Sequence, residues 1–350
     1  MTTPGNSESQ LPGSTGVAVV GEHRLIDHIR RRLPVAPTAL VVGIGDDAAV
    51  AVVDRGALQV LTTDALVEGV HFDRRFSTPA DIGYKALAVN VSDIAAMGGA
   101  PRLALLSLML PPAMPLADVD GLLDGLLQVA AATGVTLAGG NISRSPGPLV
   151  VDVTVTGSVR PRRILTRGGG HPGDSLYVSG TIGAAAAGLG WLHEYGVSGS
   201  ELPENPDLAD CVARHRRPEP RARLGALLGR TRAARACMDL SDGLADAIRQ
   251  LAEASGTGAK IDASALPIHA GAARWFLARG EDAVRACLSG GDDYELLFAR
   301  SNRARGRLRL VERQARGLRL TRIGELTSDR RIVIEREGTS EPLPAGFVHF

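Results

Sequence analysis

Cysteine is nearly absent: Cys211, Cys237 and Cys287 are the only three in 350 residues, with no CxxC pair and no histidine at zinc spacing. That excludes a disulfide framework and a cysteine-based zinc site, and the chain reads as a reduced, cytoplasmic protein. Lysine is scarcer still, Lys85 and Lys260 being the only two among 39 basic residues. Against 38 acidic residues these leave a net charge of +1. No overall field therefore draws the protein to nucleic acid or an anionic membrane, and neither is an expected partner. No apolar run reaches the ~18 residues of a membrane span. The first fifteen residues lack the basic start and apolar centre of a signal peptide. Their Ser, Thr, Gly, Pro and Asn content reads as a disordered tail, expected over residues 1–17. Missing too are a GxxxxGK[ST] loop and the HRD and DFG signatures, so any phosphate chemistry must be held by other means.

What the chain does have is carboxylates beside glycine or small residues in five short segments: 43–47, 62–64, 90–93, 239–243 and 289–293. Each alone reads as a turn or a helix cap. Gathered in one place, such groups repel, two unit charges ~4 Å apart opposing each other by roughly 4 kcal/mol at an effective dielectric of ~20. A cation offsets that cost. Mg²⁺ takes oxygen ligands and shares them among a few carboxylates, waters and phosphates, so dispersed aspartates converging on a polyphosphate suit it.

At 350 residues two domains are the default, here expected at 18–159 and 160–350, with Arg160-Pro161-Arg162-Arg163 as the crossing. Alternating strands and helices in each half make the class α/β or α+β. Helical spacing marks 22–33 and 116–132. Thr78, Pro79 and Asp81 start a helix that runs to about Met97, where Gly98 and Gly99 stop it. A strand over 58–62 is expected to end at Thr62-Thr63-Asp64, and another at Gly139-Gly140-Asn141. The turn at 179–181, before an alanine-rich helix over 182–191, offers small residues that a phosphate or ribose can approach. Ser241 is the expected N-cap of the helix after Asp239. The basic run 214–221 reads as a solvated face, with a phosphate-facing run as the alternative.

Taken together, segments 43–47, 62–64, Gly69-Val70-His71-Phe72, 84–98, Leu165-Thr166-Arg167, 239–243, 289–295 and Gly346-Phe347 resemble the thiamine-monophosphate kinases. These belong to a superfamily that includes aminoimidazole ribonucleotide synthetase and selenophosphate synthetase, and the likeness covers almost everything from Gly21 to Phe350. It implies a two-domain aminoimidazole ribonucleotide synthetase-like fold: an N-terminal mixed sheet with helices that dimerises, and a C-terminal α/β domain. The implied activity is transfer of the ATP γ-phosphoryl group to thiamine monophosphate, giving thiamine diphosphate and ADP, with several Mg²⁺ ions per site. The resemblance makes Asp47, Thr62, Thr63, Asp64, Asp93, Asn141, Asp239 and Asp242 metal ligands. It makes Gly140, Arg167 and Ser241 nucleotide contacts, and His71, Asp292 and Phe347 contacts of the thiamine phosphate. No protein nucleophile or general base is expected, because a phosphate monoester with a second pKa near ~6 is already ionised at neutral pH. Two positions depart from the family pattern: Asn141 stands where aspartate is usual, and Asp292 where glutamate is. The alternatives are another ATP-dependent synthetase of the superfamily, or a noncatalytic nucleotide or thiamine-phosphate sensor.

Overall fold

The computed structural model describes residues 12–44, 48–196 and 202–346. Its N-terminal half runs α1 (Val17–Val20), α2 (Glu22–Arg32), β1 (Leu40–Val42), β2 (Val50–Ala51), β3 (Leu58–Val67), α3 (Pro79–Ala96), β4 (Ala100–Leu110), α4 (Leu116–Thr133), β5 (Thr136–Arg144) and β6 (Val150–Val159). β1 and β2 form a small ribbon, and the other four strands a mixed sheet in the order β3-β6-β4-β5. Only β4 and β5 pair parallel, joined through α4. Val151, Val153 and Val155 of β6 are buried under the helices, while Asp152 and Thr154 point the other way, the period of two expected of a sheet with one polar face. Before α1, Thr15 is held by Pro12 and Leu116, and Val17 donates its N–H to Met114.

The C-terminal half contains α5 (Ala184–Tyr195), α6 (Pro206–Arg216), α7 (Ala222–Thr231), α8 (Leu244–Ala254), α9 (Ala270–Leu277), α10 (Ala283–Ser289) and α11 (Arg305–Gln314). Its strands are β7 (Ser175–Ser179), β8 (Ala236–Asp239), β9 (Gly258–Asp262), β10 (Leu296–Arg300), β11 (Leu320–Thr327), β12 (Ile332–Arg336) and β13 (Thr339–Pro342). They form one sheet in the order β13-β12-β9-β11-β7-β10-β8. Its two faces feed separate cores. Ala236, Met238, Leu297 and Ala299 pack with α5, α8 and α9, whereas Cys237, Leu296 and Phe298 meet α7 and α11.

The two halves meet along α3. Thr78 caps it, accepting from the Asp81 N–H at 3.2 Å while the Asp81 carboxylate accepts from the Thr78 N–H at 3.1 Å, a reciprocal box worth about 1 kcal/mol. Most of its length is buried: it packs on α4, β3 and β6 in its own half and on α7 and β8 in the other. Glycines allow the close approach to α4, since a Cβ on Gly125 would lie 1.8 Å from the Ala80 carbonyl oxygen.

Several local expectations are corrected. β3 continues to Val67 because every residue pairs with β6, so Thr62, Thr63 and Asp64 lie within the strand. β5 likewise continues beyond Asn141, paired with β4 as far as Arg144. The cap of α8 is Gly243, at φ 95°, in place of Ser241; only glycine takes that backbone conformation without strain. The alanine-rich helix begins at Ala184, and its N-terminus is taken by Asp293, whose carboxylate accepts from the Gly183 and Ala185 N–H groups at 2.6 and 3.2 Å. A carboxylate of the chain itself thus occupies the place a phosphate or ribose was expected to approach. The run 214–221 is no solvated face throughout: His215 and Arg216 are buried at the end of α6, and Arg221 grips the buried Glu295 with two hydrogen bonds.

Gly125→Ala should lower stability by about 1–3 kcal/mol through overpacking of α3 against α4, measurable by urea denaturation. An unchanged midpoint would show that the two helices have slack between them.

Candidate metal and phosphate site

Three carboxylates from three elements converge where the halves meet. Asp64 alternates with Thr62 along β3, which puts both on the face toward α3. Thr62 Oγ1 donates to Asp93 Oδ2 at 2.5 Å. One residue earlier in α3, Ser92 Oγ donates to Asp239 Oδ2 at 2.7 Å, joining the helix to the end of β8 in the other half. Asp93 lies in the last turn of α3, where the helix dipole disfavours an anion.

The electrostatics is that of a site short of positive charge. Burial, then the charges of Asp93 and Asp152, push the Asp64 carboxyl up to about 6, and Asp242 adds to the effect. Burial followed by Asp93 pushes Asp239 up to about 7. Asp93 is raised by burial, against hydrogen bonding from Thr62 and the nearby Arg167 charge. Arg167 sits in the turn Arg167–Gly169 and also donates to Gln250 Oε1. Ser241 Oγ donates to Asp242 Oδ2 at 3.3 Å.

The remaining expected ligands lie apart from this group. Thr63 points to the opposite face of β3, where its hydroxyl donates to Asp152 Oδ1 at 3.0 Å. Asn141 stands opposite Ser107, which in turn pairs with Asp152. Asn141 and Gly140 line a cavity of about 1000 Å³ between that face, α2 and the Gly43–Ile44 segment. Glycine at 140 has a packing reason of its own, because a Cβ there would sit 1.9 Å from the Leu106 carbonyl oxygen. Asp47 and Phe347 lie outside the described residues.

Among the described residues, no three carboxylates, imidazoles or thiols are grouped tightly enough to enclose an ion. The donor set nevertheless fits Mg²⁺: all its donors are oxygens, the carboxylates repel without a counter-ion, and Mg²⁺ keeps places for water and phosphate rather than requiring a full protein cage.

A second cluster lies at Lys85, about two turns from Asp93 toward the N-terminus of α3. Lys85 Nζ donates to Asp292 Oδ2 at 2.8 Å and to the His71 carbonyl oxygen at 3.4 Å. His71 Nδ1 accepts from the Val67 N–H at 3.1 Å. His215 Nδ1 lies 3.6 Å from Asp292 Oδ2, and burial pushes its imidazole down to about 3, so the ring is neutral. Burial works to raise Asp292, but the charge and hydrogen bond of Lys85 bring it below the usual carboxylate range. The loop is strained: Asp292 and Tyr294 have φ of 68° and 48°, which costs of order 1 kcal/mol or more each. Main-chain bonds from Asp292 N to Ser241 O at 2.7 Å and from Tyr294 N to Leu240 O at 2.9 Å hold it in place. The sequence reading missed Lys85 and His215. For Lys85 the available signal was its type, a lysine in a chain that otherwise uses arginine.

Family models for AIR synthase related proteins match both halves, the N-terminal domain over residues 45–159 and the C-terminal domain over 171–337. Thiamine-monophosphate kinase of Bacillus subtilis is 37% identical over 88% of this chain and 93% of its own length. That of Aquifex aeolicus is 34% identical over 95% and 98%. The chain belongs to the thiamine-monophosphate kinase family. Among solved structures, the thiamine-monophosphate kinase of Stenotrophomonas maltophilia K279a superposes with a TM-score of 0.80 at 36% identity, covering 90% of this chain and 96% of that one. AaThiL, solved with AMPPCP and TMP, gives 0.74 at 32% identity, covering 96% and 99%. The hydrogenase maturation protein HypE, at 19% identity and a TM-score of 0.73, shares the fold alone. Within the kinase family, then, the two clusters on α3 are where site chemistry is to be sought.

Because Asp64 and Asp239 bind protons more tightly folded than unfolded, their contribution to stability is complete below about 3.8 and is lost as the pH rises through about 6 and 7. In chelator, the melting temperature of Asp239→Asn should therefore gain on that of the unsubstituted chain between pH 5 and pH 8. Parallel melting curves at both pH values would contradict the raised carboxyls.

Proposed function

We propose that this protein transfers the γ-phosphoryl group of ATP to thiamine monophosphate, forming thiamine diphosphate and ADP. The observation that carries the reading is the convergence of Asp64, Asp93 and Asp239 from both halves beside the Lys85–Asp292 pair, in a chain of the thiamine-monophosphate kinase family. Both reactants are polyanions, and bringing their phosphates together is the main barrier. Asp47, Thr62, Asp64, Asp93, Asp239 and Asp242 are proposed to hold Mg²⁺, which when bound would neutralise phosphate oxygens and keep attacking and leaving oxygens in line. Thr63 and Asn141, implied as ligands by the resemblance, face the other side of the sheet and are left out of that set. Thr62 and Ser92 orient Asp93 and Asp239 through their hydroxyls, so these carboxylates present defined lone pairs. Gly140, Arg167 and Ser241 are assigned to the nucleotide, the Arg167 guanidinium offering paired donors to a phosphate. His71, Asp292 and Phe347 are assigned to the acceptor. No side chain needs to take a proton from the attacking phosphate oxygen, and transfer is direct and in line.

The proposed domain limits remain 18–159 and 160–350. Cytoplasmic placement is supported by three free, buried cysteines, and no helix among the described residues is long and apolar enough to cross a membrane. A homodimer formed through the N-terminal sheets is supported by Leu61 and Leu105, 66% and 41% exposed on β3 and β4, on the sheet face that carries Asp152 and Thr154, large apolar side chains that a partner's sheet would cover.

With Mg²⁺-ATP and thiamine monophosphate, chromatography should show equimolar thiamine diphosphate and ADP. Asp64→Asn or Asp239→Asn should lower kcat by about 10²- to 10³-fold, the scale of losing one electrostatic stabiliser of the transition state. ADP formed with a different acceptor and none with thiamine monophosphate would overturn the assignment. Leu61→Glu should shift the protein from dimer to monomer in sedimentation; a monomeric unsubstituted chain would remove the homodimer.

A further inference from the structure

Lys85 is set apart by both its chemistry and its position. The chain uses arginine at 37 of its 39 basic positions, yet places one of its two lysines in its most enclosed helix, 4% exposed. A compact ammonium offers three donors from a single point, whereas guanidinium is a planar five-donor fork. The Lys85 donors go to two segments from different halves: the main chain at His71 and the carboxylate of Asp292. Neither segment is regular structure. His71 lies in the turn after β3, and Asp292 in the strained loop before β10. One charged atom thus sets the spacing between two loops that no strand or helix ties together.

We propose that Lys85 is the positioning residue of the acceptor pocket, holding His71 and Asp292 at the separation that admits a phosphate monoester carrying a heteroaromatic cation. This rests on thiamine monophosphate being the acceptor and on the placement of His71 and Asp292 beside it. Lys85 holds Asp292 Oδ2 and the Tyr294 hydroxyl also donates to the carboxylate, while the side chain stays 32% exposed and open to the ligand's cationic ring or an amino group. The pair also crosses between the two halves, so the pocket is complete only when they are docked.

The test compares the full chain with Lys85→Met, Lys85→Arg, Asp292→Asn and the double variant Lys85→Met/Asp292→Asn, reading KM for each substrate separately and the melting temperature. Lys85→Met should raise KM for thiamine monophosphate at least tenfold and leave KM for ATP within twofold, and Lys85→Arg should not restore it. Lys85→Met leaves a lone carboxylate and should melt lower. The double variant leaves none, so its melting temperature should recover while its acceptor KM stays raised, no higher than that of the worse single variant. That split separates positioning from a purely structural role. An unchanged acceptor KM in Lys85→Met beside a raised one in Asp292→Asn overturns the proposal. So do equal rises in both KM values, or single effects that multiply in the double variant. An unchanged acceptor KM in both single variants overturns it together with the placement of Asp292, and failure of the unsubstituted chain to phosphorylate thiamine monophosphate would overturn the kinase reading itself.

Discussion

The mutual repulsion of buried carboxylates governs the centre of this molecule. Asp64, Asp93 and Asp239 are brought close from β3, α3 and β8; burial raises all three, and neighbouring carboxylates add to it at Asp64 and Asp239. A fold does not keep such a group for stability, because each charge loses solvation and gains like-charged neighbours. Hydroxyl donors from Thr62 and Ser92 relieve part of the cost. The rest is an unmet demand for a counter-ion, which a divalent cation would satisfy.

Meeting that demand requires two halves held in register, which is the work of α3. Its N-terminal box fixes where it starts, and Arg217 reaches from the end of α6 to Asp81 in the same box at 2.5 Å. Along its length, Lys85 then binds Asp292, Ser92 binds Asp239, and Asp93 meets Thr62. One helix thus addresses the Asp292 loop, the C-terminal sheet and the N-terminal sheet. Close helix packing through Gly83 and Gly125 keeps that line rigid.

Much of the fold was legible. The capping residues of α3, the inward leucines of α4 and the alternating valines of β6 each follow from local spacing. The acidic segments were legible as a group, since their residue types announce oxygen ligation. Strand ends were not, because β3 and β5 are prolonged by pairing with partners distant in sequence. Nor was the fate of the basic run 214–221. Burial of His215 and Arg216 and the grip of Arg221 on Glu295 depend on how α6 and α7 lie against the C-terminal sheet, and no periodicity within the run encodes that.

By itself the sequence determined the kind of chemistry: oxygen-rich, phosphate-directed, without P-loop or thiol. Residue type alone dictates which ions and groups a side chain can bind. Only the tertiary structure decided which aspartates act together. It put Asp64, Asp93 and Asp239 in one cluster, turned Thr63 and Asn141 to the other face of the sheet, spent Asp293 on a helix N-terminus and tied Asp292 to Lys85. The physical reason is that electrostatic coupling depends on distance and burial in space, and neither is a property of position along the chain.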